Sequence, residues 1–324
     1  MLIRHKKPWD MPSREVTPEG VYLNRRALIA GAGAAFGTSL LPRAFAADME
    51  TDTFDVREGY TVNALVNRQW RDPADKATNP FTVFSYNNFA EFGPEKEDPE
   101  ANSVDFQPRP WTIAIDGLCK KPGTLDLDEF LKPNTFEYRT YRLRCTETWS
   151  IVVPWVGIPL APVLKRAEPL GSAKFVKFTS VLRPEEMPGQ KTEALAWPYV
   201  EALRLDEAMH PLSFLAAGMY GQPLRNQNGA PIRLVVPWKY GFKSAKSIVR
   251  ISFTEVAPQT SWNLRIPHEY GFWANVNPNV DHARWSQATE RRLGEYRRRP
   301  TLMFNGYADD VASMYAGMDL IKNF

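Results

Sequence analysis

The sequence predicts an α+β protein, rich in short strands and joined by long irregular connections. Three observations carry that reading. Of the 324 residues, 27 are proline, too many for long helices, whose interiors proline breaks. Short runs that alternate or are wholly apolar recur at 111–115, 138–145, 174–179, 232–236 and 247–253, as strands do. Helical periodicity is confined to brief stretches at 125–131, 199–208 and 309–318, too short to build a bundle. A composition of 44% hydrophobic and 24% charged residues is globular, with length for a real core.

Taken in order, the chain opens on an address. Arg25-Arg26 precede a charge-free run over 27–41, broken by Pro42 and followed by Ala44-Phe45-Ala46. A twin arginine, a mild apolar stretch and an A-x-A site form a twin-arginine signal peptide over 1–46. A membrane anchor helix is the alternative, disfavoured by the run's length. The expected location is the periplasm, and this route carries folded proteins with cofactors already in place. The net charge of +3 is concentrated here: residues 1–46 carry seven basic and three acidic residues, the rest 33 and 34. The rest of the chain, expected to form one domain over 47–324, has no charge bias calling for nucleic acid.

Residues 48–80 are polar and carry no firm motif. The stretch 81–93 holds five aromatics and the pair Asn87-Asn88. It is either a loop stapled by its rings or a ligand-facing loop, since paired amides offer donors and acceptors in several directions. The strand at 111–115 runs into Asp116-Gly117 and Cys119, and the helix at 125–131 closes at Lys132-Pro133. At 138–145 alternation puts Tyr141, Leu143 and Cys145 on one face, with arginines on the other. Cys145 then falls at a strand end, facing inward under a positive field, which would favour the thiolate. It is either a buried structural thiol, a partner for Cys119 in a disulfide, or a metal ligand.

The apolar, proline-broken run 151–160 should pack beneath this cysteine. Gln227 to Pro231 form a turn into the strand 232–236, where Arg233 interrupts an apolar run and needs an anionic partner or an exposed face. Residues 237–246 bring three lysines and three aromatics, an anion-receiving loop. Arg291-Arg292 and Arg297-Arg298-Arg299 form either a solvated face or a docking patch. No C-x-x-C-H, P-loop, G-x-G-x-x-G, H-E-x-x-H or G-x-S-x-G occurs, and the four histidines lack ligand spacing. What remains is one thiolate, which suits a soft metal held mostly by its own organic cofactor.

These motifs together resemble the periplasmic protein-methionine-sulfoxide reductases of the sulfite-oxidase molybdoenzyme superfamily. The matching stretches are Tyr86-Asn87-Asn88-Phe89, Arg144-Cys145-Thr146-Glu147-Thr148-Trp149, Val152-Val153-Pro154-Trp155, Met187-Pro188-Gly189-Gln190, Asn275-Val276-Asn277-Pro278 and Asn305-Gly306-Tyr307, with 198–210, 227–231 and 236–243. The resemblance implies the superfamily's molybdopterin-binding fold and one molybdenum with a single pyranopterin dithiolene. It implies Cys145 as metal ligand and catalytic residue. Cofactor contacts would be Asn87, Ala90, Glu91, Ser180, Asn228, Arg233, Ser244, Ala245 and Lys246. Ala90 stands where tyrosine is usual and Ser180 where threonine is usual, so a contact at Ala90 must run through backbone. Glu147, two residues from Cys145, is expected either to support the metal ligand or to act as a proton relay. Arg233 and Lys246 would serve the pterin's terminal phosphate.

The expected activity is repair of methionine sulfoxide in periplasmic proteins, a reversible oxidative lesion. Electrons would come from a haem-containing membrane partner, and the catalytic subunit would be monomeric. Two alternatives stay open. A sulfite dehydrogenase-like enzyme would need a basic pocket for a dianion, with Arg142 or Arg144 in it. An exported binding protein would hold no metal.

Overall fold

The computed structural model describes residues 50–57 and 60–324. The segment expected to be a signal peptide, with its expected cleavage point, lies outside the described residues.

Thr51–Arg57 (β1) and Tyr60–Asn67 (β2) form an antiparallel pair where no motif is evident in the sequence. Phe54, Val56, Val62 and Ala64 are their buried positions, an inward set too diluted by Thr, Asp and Asn to stand out. Next come Thr112–Gly117 (β3), Gly123–Asp126 (β4), Phe136–Arg144 (β5), Trp149–Pro159 (β6) and Phe175–Ser180 (β7). Val200–Arg204 (β8), Phe214–Met219 (β9), Gln222–Pro223 (β10), Arg233–Val235 (β11), Ile248–Thr254 (β12), Thr289–Arg292 (β13) and Arg298–Pro300 (β14) complete the strands. Helices among the described residues run four to seven residues, as at Pro80–Ser85, Leu127–Leu131 and Leu160–Arg166. The chain is therefore α+β and β-rich.

Two mixed sheets organise it. One has the order β1-β2-β5-β6-β13-β14, with β9 also pairing β6 and carrying β10 and β11; the other is β4-β3-β12-β7-β8. β6 is the spine. It pairs along its length with β5, while its first two residues pair with β13 and its last five with β9. Burial on both faces explains its sequence, apolar but for Ser150. Pro154 does not break it. Its carbonyl turns to the Tyr220 amide, 2.9 Å away, so its missing N–H lies on that same side, away from the β5 ladder.

The sheets are joined where 229–236 meets 244–248. Leu234 N donates to Ala245 O at 2.8 Å, Ile248 N to Ile232 O at 3.2 Å and Ser247 Oγ to Ala230 O at 2.7 Å. Fully buried Trp111 and Trp238 fill the interior, with indole N–H bonds to Ile248 O and Tyr315 Oη, both 2.8 Å.

Three expectations need correction. The stretch 199–208 is not one helix: Val200–Arg204 is a strand paired with β7, and only Leu205–Met209 is helical. Pairing with β7 outweighs a weak local propensity. The helix at 309–318 shortens to Ala308–Val311, followed by a 3₁₀ turn. The arginines of β5 do not all lie on the face opposite Tyr141, because Arg139 shares its parity and donates to Tyr141 Oη at 2.7 Å.

Candidate active site

Cys145 to Thr148 form the hairpin loop between β5 and β6. Cys145 N donates to Trp149 O at 2.9 Å, and Thr148 N to Cys145 O at 3.2 Å. Thr148 takes φ 66°, a left-handed conformation costly for a β-branched residue. Neighbouring segments hold it there: Arg291 N donates to Thr148 O at 2.8 Å, and Trp285 Nε1 and Gln287 Nε2 each donate to Thr146 O at 2.8 Å. These anchors, some 140 residues downstream, give no sequence signal of their own.

The loop turns the Cys145 thiol and the Glu147 carboxylate towards Asn88. Asn88 Nδ2 donates to Glu147 Oε2 at 2.9 Å and lies 3.3 Å from Cys145 Sγ, and the Glu147 amide lies 3.4 Å from the same sulfur. Asn88 is thus a site residue beyond the expected contact set, although the Asn87-Asn88 pair was its signal. Burial would raise the Glu147 pKa. Hydrogen bonds from Asn88 and Trp149 Nε1 (3.1 Å) and the Lys96 ammonium (3.1 Å) outweigh it and hold the group below the usual carboxylate range. The Glu147 side chain is 34% exposed and that of Lys96 21%, so this pair lines a mouth open to solvent.

The positive field expected at Cys145 is reduced to a minor pull from Arg144, outweighed by burial and Glu147. Arg142 binds Asp72 at 2.6 Å and also Asp75. Arg144, fully buried, binds Glu290 at 2.9 Å, Gln287 Oε1 at 2.8 Å and Thr301 Oγ1 at 3.1 Å, and donates to the Cys145 carbonyl. Burial, followed by the Glu147 charge, pushes the Cys145 thiol up to about 12. The protein alone keeps a thiol here, and a bound cation must displace its proton. Cys119 and Cys145 are both free. Among the described residues no group of three or more His, Cys, Asp or Glu could hold a metal.

A second cluster lies at the seam of the sheets. Asn87 Oδ1 accepts from Asn228 Nδ2 at 2.9 Å, and Asn228 O accepts from Arg233 Nη1 at 2.9 Å. Gly229, at φ 101°, fits between Arg233 and Lys246; a Cβ there would come within 3.0 Å of Lys246 and 3.2 Å of Arg233. Arg233 is buried without a carboxylate partner and is lowered to about 10 by burial. Lys246 makes no hydrogen bond or ion pair among the described residues, resting 4.8 Å over the Phe89 ring. Burial and then Arg233 lower it to about 8, while Glu91 opposes. Glu91 is itself raised to about 7 by burial.

The loop 237–246 is less basic than its sequence. Lys239 pairs with Glu207 at 2.6 Å and Lys243 with Glu201 at 2.7 Å, all buried. Only Lys246 is left for an outside anion. Ser244 Oγ accepts from Val236 N at 3.3 Å, and Ala245 is bonded to Leu234, so both are buried pieces of the seam. Ser180 ends β7 opposite Ile248. The Ala90 carbonyl packs on Gly189, where a Cβ would sit 2.0 Å from it, so this stretch offers backbone.

Three buried polar atoms of this region have no hydrogen-bond partner: Ser180 Oγ, Asn228 Oδ1 and Trp155 Nε1. Trp155 lies under Arg233, 5.2 Å from ring centre to guanidinium carbon, and was not expected as a site residue. Native interiors rarely leave such groups unmatched. Together with two cations lacking carboxylates and a soft thiol, they form a donor set for a ligand that has polar edges, an anionic group and a metal.

Comparison with known proteins gives that ligand a class. Residues 100–262 match the family described as "Oxidoreductase molybdopterin binding domain". The chain is also similar to the solved sulfane dehydrogenase SoxCD from Paracoccus pantotrophus, at 15% identity and a TM-score of 0.44, covering 85% of this chain and 68% of that one. The residues present fit the cofactor. Cys145 would hold the metal, Arg233 and Lys246 the phosphate, and Asn228, Ser180 and Trp155 would gain partners. The matched segment spans half of the chain, includes the Cys145 loop and both sides of the seam, and places the protein in the family of oxidoreductases with a molybdopterin-binding domain.

Proposed function

We propose that this protein reduces methionine sulfoxide in oxidised exported proteins. The carrying observation is the charge at the mouth. Glu147 is an anion there, Lys96 is matched to it, and Arg142 and Arg144 are bound to other carboxylates. A sulfite dianion would meet a carboxylate with no free arginine to offset it. A sulfoxide is neutral, and its oxygen accepts hydrogen bonds of the kind Asn88 and Lys96 can donate.

When bound, the molybdenum cofactor supplies two-electron oxygen-atom-transfer chemistry. The chain's own residues do the rest. Asn88 bridges the Cys145 sulfur and Glu147 and fixes their separation. The Glu147 carboxylate, in contact with solvent, accepts protons and passes them inward. Removing one sulfoxide oxygen as water takes two protons and two electrons. We further propose that the protons enter through Glu147, and that the electrons come from a haem-containing membrane partner on the periplasmic side, reached through the twin-arginine signal. In this reading the catalytic subunit works as a monomer.

The test uses holoenzyme whose molybdenum content has been measured. With reduced viologen as donor, peptide methionine sulfoxide should be turned over. With ferricyanide as acceptor, sulfite should not. Sulfite oxidation without sulfoxide reduction would reverse the assignment, and protein that binds no molybdenum would remove it.

A further inference from the structure

We propose that the β13–β14 hairpin is the docking surface for an acidic protein that donates electrons one at a time. This rests on the reductase reading, in which each sulfoxide consumes two electrons and two protons and releases water.

The hairpin is more basic than the fold requires. Arg291 and Arg298 lie directly opposite each other in the antiparallel register, and both are exposed. Like charges so placed oppose strand pairing. Neither has an acidic partner among the described residues: Arg298 donates only to Thr289, to Oγ1 at 2.9 Å and to O at 2.8 Å. Arg297, beside them, is exposed and also lacks an acidic partner. Arg292 and Arg299 are different. Arg292 is buried on Ser150 and Asp75, and Arg299 pairs with Glu295. The sequence cluster therefore divides into two structural arginines and three that the fold leaves for something else.

β14 is the last strand of its sheet, and charged edges protect against stray pairing. That function does not explain Tyr296, which stands fully exposed at the tip. An aromatic ring flanked by unmatched arginines is the composition of a protein contact, and the charge selects an acidic partner.

The hairpin is also bonded to the active loop. Arg291 N holds Thr148 O at 2.8 Å, and Thr148 N holds Cys145 O at 3.2 Å. Glu290, the residue before Arg291, binds Arg144 at 2.9 Å and Ser150 Oγ at 2.7 Å. A donor seated on Arg291 is two hydrogen bonds from the backbone of Cys145.

A plant-type ferredoxin, an acidic one-electron carrier, serves as the probe. Holoenzyme is compared with the double variants Arg291→Gln with Arg298→Gln and Arg291→Glu with Arg298→Glu. A control of equal charge loss carries Lys120→Gln and Lys121→Gln. Ferredoxin binding at low ionic strength should weaken at least tenfold in the Gln pair, further in the Glu pair, and less than threefold in the control. Turnover with reduced viologen should not change, because Arg291 holds the active loop through its backbone amide, which both substitutions keep. Equal binding by all proteins would overturn the proposal, as would equal weakening by the control. Unchanged ferredoxin binding with loss of binding to phosphatidylglycerol vesicles would overturn it in favour of a membrane surface. If the unmodified enzyme fails to reduce sulfoxide with viologen, the reductase reading falls, while the binding measurement still decides the surface.

Discussion

Replacing Arg233 by methionine should have opposite effects on the apoprotein and on cofactor retention. The guanidinium is buried, has no carboxylate partner and is lowered from 12.5 to about 10 by burial. At 1.36 kcal/mol per pKa unit, carrying that charge in the empty fold costs roughly 3 kcal/mol. Against this stand its bond to Asn228 O at 2.9 Å and its contact with the Trp155 ring, together worth about 1–2 kcal/mol. Methionine fills similar space without charge. Apoprotein from cells that cannot make the cofactor should therefore gain about 1–2 kcal/mol, a few degrees in Tm. The same variant made in competent cells should contain little molybdenum, because the phosphate loses its buried partner. The assay pairs a thermal scan of the apoprotein with elemental analysis of the loaded protein. A variant that is destabilised as apoprotein and retains full molybdenum would refute the reasoning, for Arg233 would then be a structural residue.

Other outcomes follow from the same geometry. Glu290→Gln leaves Arg144 buried without its counterion and should cost about 3–5 kcal/mol in urea unfolding; a loss under 1 kcal/mol would mean that Gln287 and Thr301 suffice. Asn88→Ala removes the donor shared by Cys145 and Glu147, so activity should fall at least tenfold with molybdenum content retained. Glu91 has a folded pKa raised from 4.5 to about 7. Its contribution to apoprotein stability is fully present below pH 4.5 and is lost as pH rises through about 7. Glu91→Gln should therefore match the unmodified apoprotein in unfolding free energy at pH 4 and exceed it at pH 8, by on the order of 3 kcal/mol at most. Cys119→Ala should leave activity unchanged, and thiol titration of unfolded apoprotein should count two free cysteines.

Much of the fold was legible locally. β3, β7, β11 and β12 fall within a residue or two of the alternating or wholly apolar runs that mark them. Val200–Arg204 carries no strand signal of its own because its strand character depends on β7 alongside it, and β1 and β2 carry little because Thr, Asp and Asn dilute their apolar positions. The helix–strand boundary inside 199–208 follows from Glu201 being needed in the core opposite Lys243, a contact that no local window contains.

By itself the sequence supplied the candidates for the chemistry: a thiol in a Cys-Thr-Glu-Thr-Trp run, amides at Asn87 and Asn228, Arg233 in an apolar strand, and Lys246 beyond it, joined by a family resemblance. Tertiary structure alone decided which charges are free. Arg142 and Arg144 stand closest to Cys145 in the chain but are neutralised by Asp72, Asp75 and Glu290, while Lys239 and Lys243 are neutralised by Glu207 and Glu201. Arg233 and Lys246 remain unmatched. The physical reason is that a charge acts through what surrounds it in space, and the partners of these residues come from strands and loops far away in sequence.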